Sequence, residues 1–252
     1  MSSVSTASRV GGKSLLSLQG VAGGYGDVDI VSGIDMHVCE REIVTIAGTN
    51  GAGKSTLIKA VMGLLPRLSG TVDFNGIDLR KLDVEERVRV GISYVPQVNN
   101  VFGELTVLEN LQVVEYVRNP RDRIAKMLDM FPALAARRRT YACNLSGGER
   151  QQLAFARALM PDPRLMLLDE PSAALSPALT EQVFLEVQRL PRLGVAVLMV
   201  EQRARQALQF GDRGYILDAG RIVLTDTGAN LLANEDMADL YIGRSHHSEQ
   251  GA

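Results

Sequence analysis

The chain has 252 residues, 46% hydrophobic and 22% charged, a balance that excludes a disordered polymer and a miniprotein needing staples. A formal net charge of -2 gives no general drive toward nucleic acid or anionic lipid. The two cysteines, Cys39 and Cys143, stand far apart outside any CxxC pair, which argues against a redox or zinc site. Apolar runs such as 195–200 are a strand's length, well short of the roughly 20 residues that span a bilayer. Any membrane role is therefore expected to come through a partner. The first twelve residues are rich in Ser, Gly and Thr and lack an apolar signal-peptide core, so 1–13 reads as a flexible tail with no secretion implied.

Residues 15–21 and 42–47 favour strands, and the second run enters a glycine-rich turn followed by a helical pattern at 55–62. Strands are expected again at 71–74 and 92–95, around a charged helical stretch at 84–90, and Pro96 stops the second of them. From 105 to 139 the patterns are helical, broken by Asn119-Pro120 and Pro132, as an inserted helical subdomain over about 98–150 would read. Strands return at 165–168, 195–200 and 214–217 with helical patterns between them. Apolar strands alternating with helices predict an α/β fold, its mainly parallel sheet covered on both faces and ligands gathered at the strands' carboxyl ends. Arg137-Arg138-Arg139 reads as a solvated helix face rather than a nucleic-acid contact. The residues from Ser245 on read as a loose tail, and the His246-His247 pair has no companion metal ligands.

Gly48-Thr49-Asn50-Gly51-Ala52-Gly53-Lys54-Ser55 fits GxxxxGK[ST], and it stands between an expected strand and an expected helix. Glycines let the backbone curl so that N–H groups point at phosphate oxygens, and the helix adds its positive end. Lys54 is expected to bridge the β and γ phosphates, Ser55 to offer its hydroxyl to Mg²⁺, and Thr56 to complete the nucleotide-binding set. Asp169 and Glu170 follow the apolar run 165–168. Beside a phosphate loop, Asp169 suits the magnesium shell and Glu170 suits the general base for the attacking water; without that loop the pair would read as a solvated turn.

Leu145-Ser146-Gly147-Gly148-Glu149, followed by Arg150-Gln151-Gln152, resembles the signature motif of the ABC ATPases. Ser146 with Gly147 and Gly148 at a helix start makes an anion site, although an ordinary helix cap would use the same serine. The resemblance covers nearly the whole chain, about 15–243. It implies a phosphate-loop (RecA-like) core with an N-terminal antiparallel β part, an inserted helical subdomain, a domain spanning 14–243 and a tail at 244–252. It also implies that each signature caps the γ-phosphate held by a partner cassette, so that two chains sandwich ATP. Tyr25 resembles the aromatic that stacks on adenine, or it packs a turn beside Gly24 and Gly26. Gln97, after Val95-Pro96, resembles the glutamine linking magnesium and attacking water to the helical subdomain. Leu105-Thr106-Val107-Leu108-Glu109-Asn110 resembles the segment beside which the transmembrane subunit docks.

Two departures narrow the family. Glu201-Gln202 stands where most ABC ATPases carry a histidine, and Ser176 stands where they carry an aspartate. Both resemble the second ATPase subunit of branched-chain amino-acid importers, as do Asp212-Arg213-Gly214-Tyr215, Asp226-Thr227-Gly228 and Leu231-Leu232-Ala233-Asn234-Glu235. Gln202 can orient water or phosphate but cannot shuttle a proton near neutral pH. The resemblance implies an ATP- and Mg²⁺-using subunit at the cytoplasmic face of the membrane. Its implied partners are a second, related ATPase subunit (or a second copy), permease subunits and, indirectly, a binding protein, with no nucleic acid. Branched-chain amino acids lead as cargo; urea or short amides, or a regulatory cassette with weak hydrolysis, are the alternatives.

Overall fold

Strands β1 (Ser14–Tyr25) and β2 (Val28–Cys39) form a hairpin about the tight turn at Gly26 and Asp27 in the computed structural model, which describes residues 12–234. Residues 1–11 and 235–252 lie outside the described residues, and with them most of both expected tails, Glu235 and the His246-His247 pair. Strand β1 also pairs antiparallel with β4 (Arg67–Phe74), which pairs with β5 (Ile77–Asp78), giving a four-stranded sheet in the order β2-β1-β4-β5. Leu16, Leu18 and Val21 of β1 and Ile34, Met36 and Val38 of β2 are buried on its inner face.

The second sheet holds the interior. Its order is β10 (Arg221–Thr227), β9 (Arg213–Asp218), β3 (Ile43–Ala47), β8 (Ala196–Val200), β7 (Leu165–Asp169) and β6 (Ile92–Val95). All pairings are parallel except β9 with β10. Strands buried on both faces need apolar residues at every position, and β3, β7 and β8 are buried throughout. Leu165 and Leu167 face helix α1 (Lys54–Met62) in a core with Leu57, Ile58 and Val61. Met166 and Leu168 point the other way, into a core with Phe155 and Phe184 from α6 (Gly147–Leu159) and α7 (Pro177–Arg189).

Helix α2 (Val84–Arg89) precedes β6, and between β6 and α6 lie α3 (Val107–Gln112), α4 (Pro120–Met130) and α5 (Pro132–Ala136). Leu111, Met127, Phe131 and Leu134 of this helical part join the core on the α6 side of the sheet. Capping boxes start α2 (Asp83 with Glu86), α3 (Thr106 with Glu109) and α6 (Ser146 with Glu149). After β8 come α8 (Ala204–Phe210) and, beyond β10, α9 (Gly228–Ala233).

Two expectations change on contact with the fold. Strands β2, β5 and β10, edges of their sheets, have no counterpart among the expected strands, and Arg137-Arg138-Arg139 forms an exposed turn after α5 rather than a helix face, with Arg137 Nε 2.7 Å from Glu149. The subgroup-like run Asp212-Arg213-Gly214-Tyr215 builds the fold. Arg213 donates to both oxygens of the buried Glu42 at 2.9 and 3.0 Å, to the His37 carbonyl at 2.7 Å and to the Tyr215 hydroxyl, tying β9 to β2 and to the start of β3. Asp226 and Thr227 accept from Asn230 at the start of α9. No helix among the described residues is long and apolar enough to cross a membrane.

Candidate functional site

The loop from Gly48 to Ser55 leaves the carboxyl end of β3 and enters α1. Gly48 adopts φ 156°, and a Cβ there would lie 2.0 Å from the Leu217 carbonyl oxygen; Gly53 adopts φ 100° and starts α1 with no side-chain cap. Gly53, Lys54, Ser55 and Thr56 of this helix start line a cavity, where an anion can take the first-turn N–H groups. Lys54 Nζ donates to the Gly48 and Thr49 carbonyls at 2.9 Å each. Burial holds its ammonium below the ordinary lysine value, against the upward pull of Glu170, Asp169 and Glu201.

This loop forms one wall of a cavity of about 320 Å³. Asn50, Gly51, Gly53, Lys54, Ser55 and Thr56 of the loop and helix start line it together with Tyr25, Glu170 and Gln202. Tyr25, at the end of β1, is half exposed, with its ring free to receive a flat group. Ile30, which carries no motif in the sequence, also lines the cavity.

Behind the loop stands the end of β7. Asp169 is buried; its Oδ1 accepts from Ser55 Oγ at 2.8 Å and its Oδ2 from the Tyr94 hydroxyl at 3.3 Å. Burial, then the Asp169 charge, push the Tyr94 phenol well above its usual range, so it remains a donor. Glu170 sits one residue on with φ 47°, an uncommon conformation for a non-glycine residue costing on the order of 1 kcal/mol. Its backbone N–H donates to Val200 O at 2.9 Å. Gln97 Nε2 donates to Glu170 Oε2 at 2.7 Å and Gln202 Nε2 to both carboxylate oxygens at 3.0 Å. Two amides from different strand ends thus grip one carboxylate. The neighbouring Glu201 points inward instead: it is 1% exposed, accepts from Ser172 N–H at 2.9 Å, and burial pushes its carboxyl above the ordinary value.

Ser146, Gly147 and Gly148 do not line this cavity. They start α6, where Ser146 Oγ accepts from Glu149 N–H at 3.3 Å and Glu149 Oε2 accepts from Ser146 N–H at 2.9 Å. A Cβ on Gly148 would lie 2.7 Å from Leu179 Cδ2, so this helix start packs tightly on α7. Ser176 caps α7. A second, larger cavity of about 420 Å³ runs along β6, the edge strand, toward the ends of α3 and α6. Exposed Phe102, Val113 and Tyr116 line it, and the Arg157 guanidinium lies 4.4 Å from the Phe102 ring centroid. Among the described residues no cluster of three or more His, Cys, Asp or Glu could hold a metal on its own.

A parallel sheet that delivers a glycine loop into a helix, with a carboxylate at the end of β7, on the far side of β8, meeting the loop's serine, defines a phosphate-loop nucleotide-binding protein. The ABC transporter family model matches residues 31–173, and the chain belongs to that family as its ATPase component. It is 42% identical over 232 residues to the high-affinity branched-chain amino acid transport ATP-binding protein BraG of Pseudomonas aeruginosa, covering 91% of this chain and 100% of that one. To the probable branched-chain amino acid transport ATP-binding protein LivF of Archaeoglobus fulgidus it is 40% identical over 224 residues, 87% of this chain and 95% of the relative. Among solved structures, the ATP-binding cassette MJ1267 superposes with TM-score 0.81 at 27% identity over 90% of this chain and 98% of that one. The dimeric post-hydrolysis state of the cassette MJ0796, bound to ADP and Pi, gives TM-score 0.73 at 26% identity over 84% and 98%.

Proposed function

We propose that this chain is one of two ATPase subunits energising an importer of branched-chain amino acids, peripheral to the cytoplasmic face of the membrane. The observation that carries its chemistry is the double amide grip on Glu170 in the cavity that Lys54 also lines. Its nearness to BraG and LivF supports the cargo.

In this reading the adenine stacks on Tyr25 and the phosphates lie along residues 48–56, their oxygens replacing the Gly48 and Thr49 carbonyls as acceptors for Lys54 Nζ. Ser55 Oγ and Asp169 Oδ1, 2.8 Å apart beside the loop, are the hard oxygen donors that Mg²⁺ takes, and Gln97 has its amide oxygen to add. Bound there, Mg²⁺ would neutralise charge on the β and γ phosphates. Glu170 accepts the proton of the attacking water as its oxygen bonds to the γ-phosphorus and ADP departs. Gln97 and Gln202 hold that carboxylate in place, and Gln202, having no titrating proton near pH 7, works by position alone.

Ser146, Gly147 and Gly148 open α6 outside the lining of the chain's own cavity, and a helix N-terminus there suits the γ-phosphate of ATP held by a second cassette. The apolar cavity along β6 suits a docking segment of the permease, and a substrate-binding protein acts through that permease. The test is reconstitution with the companion ATPase and permease, reading ATP turnover with a binding protein loaded with leucine or with urea. Stimulation by leucine alone supports the cargo assigned here, stimulation by urea replaces it, and failure to associate with any permease overturns the transport role.

A further inference from the structure

We infer that Tyr94 is a positioning residue for the phosphoryl-transfer site, holding Asp169 by Oδ2 so that Oδ1 is presented to Ser55 and the nucleotide's metal. The inference rests on the reading of Ser55 and Asp169 as the Mg²⁺-side oxygens. It starts from register: Tyr94 of β6 is paired with Leu167 of β7 in a parallel ladder. Paired residues share a sheet face, and so do residues two apart on a strand, which puts Tyr94, Leu167 and Asp169 on one face. Asp169 lies about 6.6 Å further along, at about 3.3 Å per residue, a span that a tyrosine covers with its hydroxyl and a phenylalanine falls one atom short of.

The contact matches that geometry. The Tyr94 hydroxyl donates to Oδ2 at 3.3 Å while Ser55 donates to Oδ1 at 2.8 Å, so each carboxylate oxygen has one side-chain donor and the plane of the group is set. Asp169 is 4% exposed, which leaves little solvent to replace a lost donor. Tyr94 is itself held, its ring packed against the core beneath α1. Residues that hydrogen-bond a metal ligand from behind govern its orientation and thereby metal affinity.

Tyr94→Phe removes one oxygen and keeps the ring. The experiment measures equilibrium binding of a non-hydrolysable fluorescent ATP analogue to the full chain, once with Mg²⁺ and once in EDTA, with the thermal midpoint recorded alongside. We expect the Mg²⁺-dependent gain in affinity to fall about fivefold in Tyr94→Phe, the loss of one moderately long hydrogen bond to a charged group, with affinity in EDTA unchanged. A drop in midpoint with both affinities weakened in parallel would make Tyr94 merely structural and overturn the inference. So would an unchanged Mg²⁺ gain in Tyr94→Phe when Asp169→Asn reduces it. If Asp169→Asn also leaves the gain intact, the Mg²⁺-side reading of Asp169 fails, and the role of Tyr94 fails with it.

Discussion

Replacing Gln202 with alanine removes the two 3.0 Å contacts from its Nε2 to the Glu170 carboxylate and leaves the 2.7 Å contact from Gln97. A hydrogen bond to a charged group is worth roughly 1.5–3 kcal/mol; because a second donor remains and the Gln202 amide is shared between two oxygens, the loss belongs at the low end, about 1.5–2 kcal/mol. At about 1.4 kcal/mol per factor of ten, that is a fall in kcat of roughly 10- to 30-fold. The KM for ATP is expected to hold, since Lys54 and the loop backbone are untouched. Steady-state ATP turnover of the assembled transporter, titrated with nucleotide up to saturation, reads both parameters. A companion variant, Gln202→His, restores a donor and adds a group titrating near pH 6.5, so its rate acquires a step between about pH 6 and 7.5 that the parent lacks. A fall of less than about twofold in Gln202→Ala would mean that Gln97 alone holds the base, and a raised KM with kcat unchanged would mean that the Gln202 amide holds substrate instead.

The same geometry gives three further expected outcomes. Burial raises the Glu201 carboxyl above its ordinary 4.5, so its contribution to stability is present below that value and lost as pH rises through the raised one. Glu201→Gln, whose carbonyl oxygen still accepts from Ser172, therefore has a higher thermal midpoint than the parent at pH 8, with the difference narrowing toward pH 5; a pH-independent difference would contradict this. Arg213→Met strands the buried Glu42 and costs about 3–5 kcal/mol by denaturant titration, with nucleotide contacts unaffected in what remains folded. Val113→Asp puts a charge into the apolar cavity along β6 and weakens association with the permease by about tenfold or more, while ATP-analogue binding to the isolated chain stays the same.

The parts of the site readable from sequence are those built from contiguous residues. A glycine loop entering a helix and two acids ending an apolar strand are local patterns because adjacent residues bring their backbone and side chains to one place. Strand β6 has the bounds its sequence predicts, residues 92–95, since Pro96 ends it. Tyr94 is illegible in the sequence for the opposite reason: its contact with Asp169 exists only because β6 lies beside β7 in one register, a fact of topology. The same holds for Glu201, whose inward turn toward Ser172 is set by tertiary packing. Strands β2 and β10 escape a sequence pattern because edge strands carry polar residues, and Ser32-Gly33 interrupts the alternation in β2. The marks of the branched-chain subgroup near residue 213 are fold-building, through the buried Arg213 and Glu42 pair, and say nothing directly about cargo.

In the proposed function Glu170, held by two glutamine amides, is the base of a working ATPase. That role is tested most directly by ATP turnover of the reconstituted transporter carrying Glu170→Gln in this chain alone, alongside ATP-analogue binding. The expected result is binding within about twofold of the parent and a turnover contribution from this chain reduced by about 100-fold or more, as removal of a general base entails. Undiminished turnover, abolished instead by changing the corresponding acid of the companion subunit, would contradict it and leave this chain a nucleotide-binding regulator of its partner.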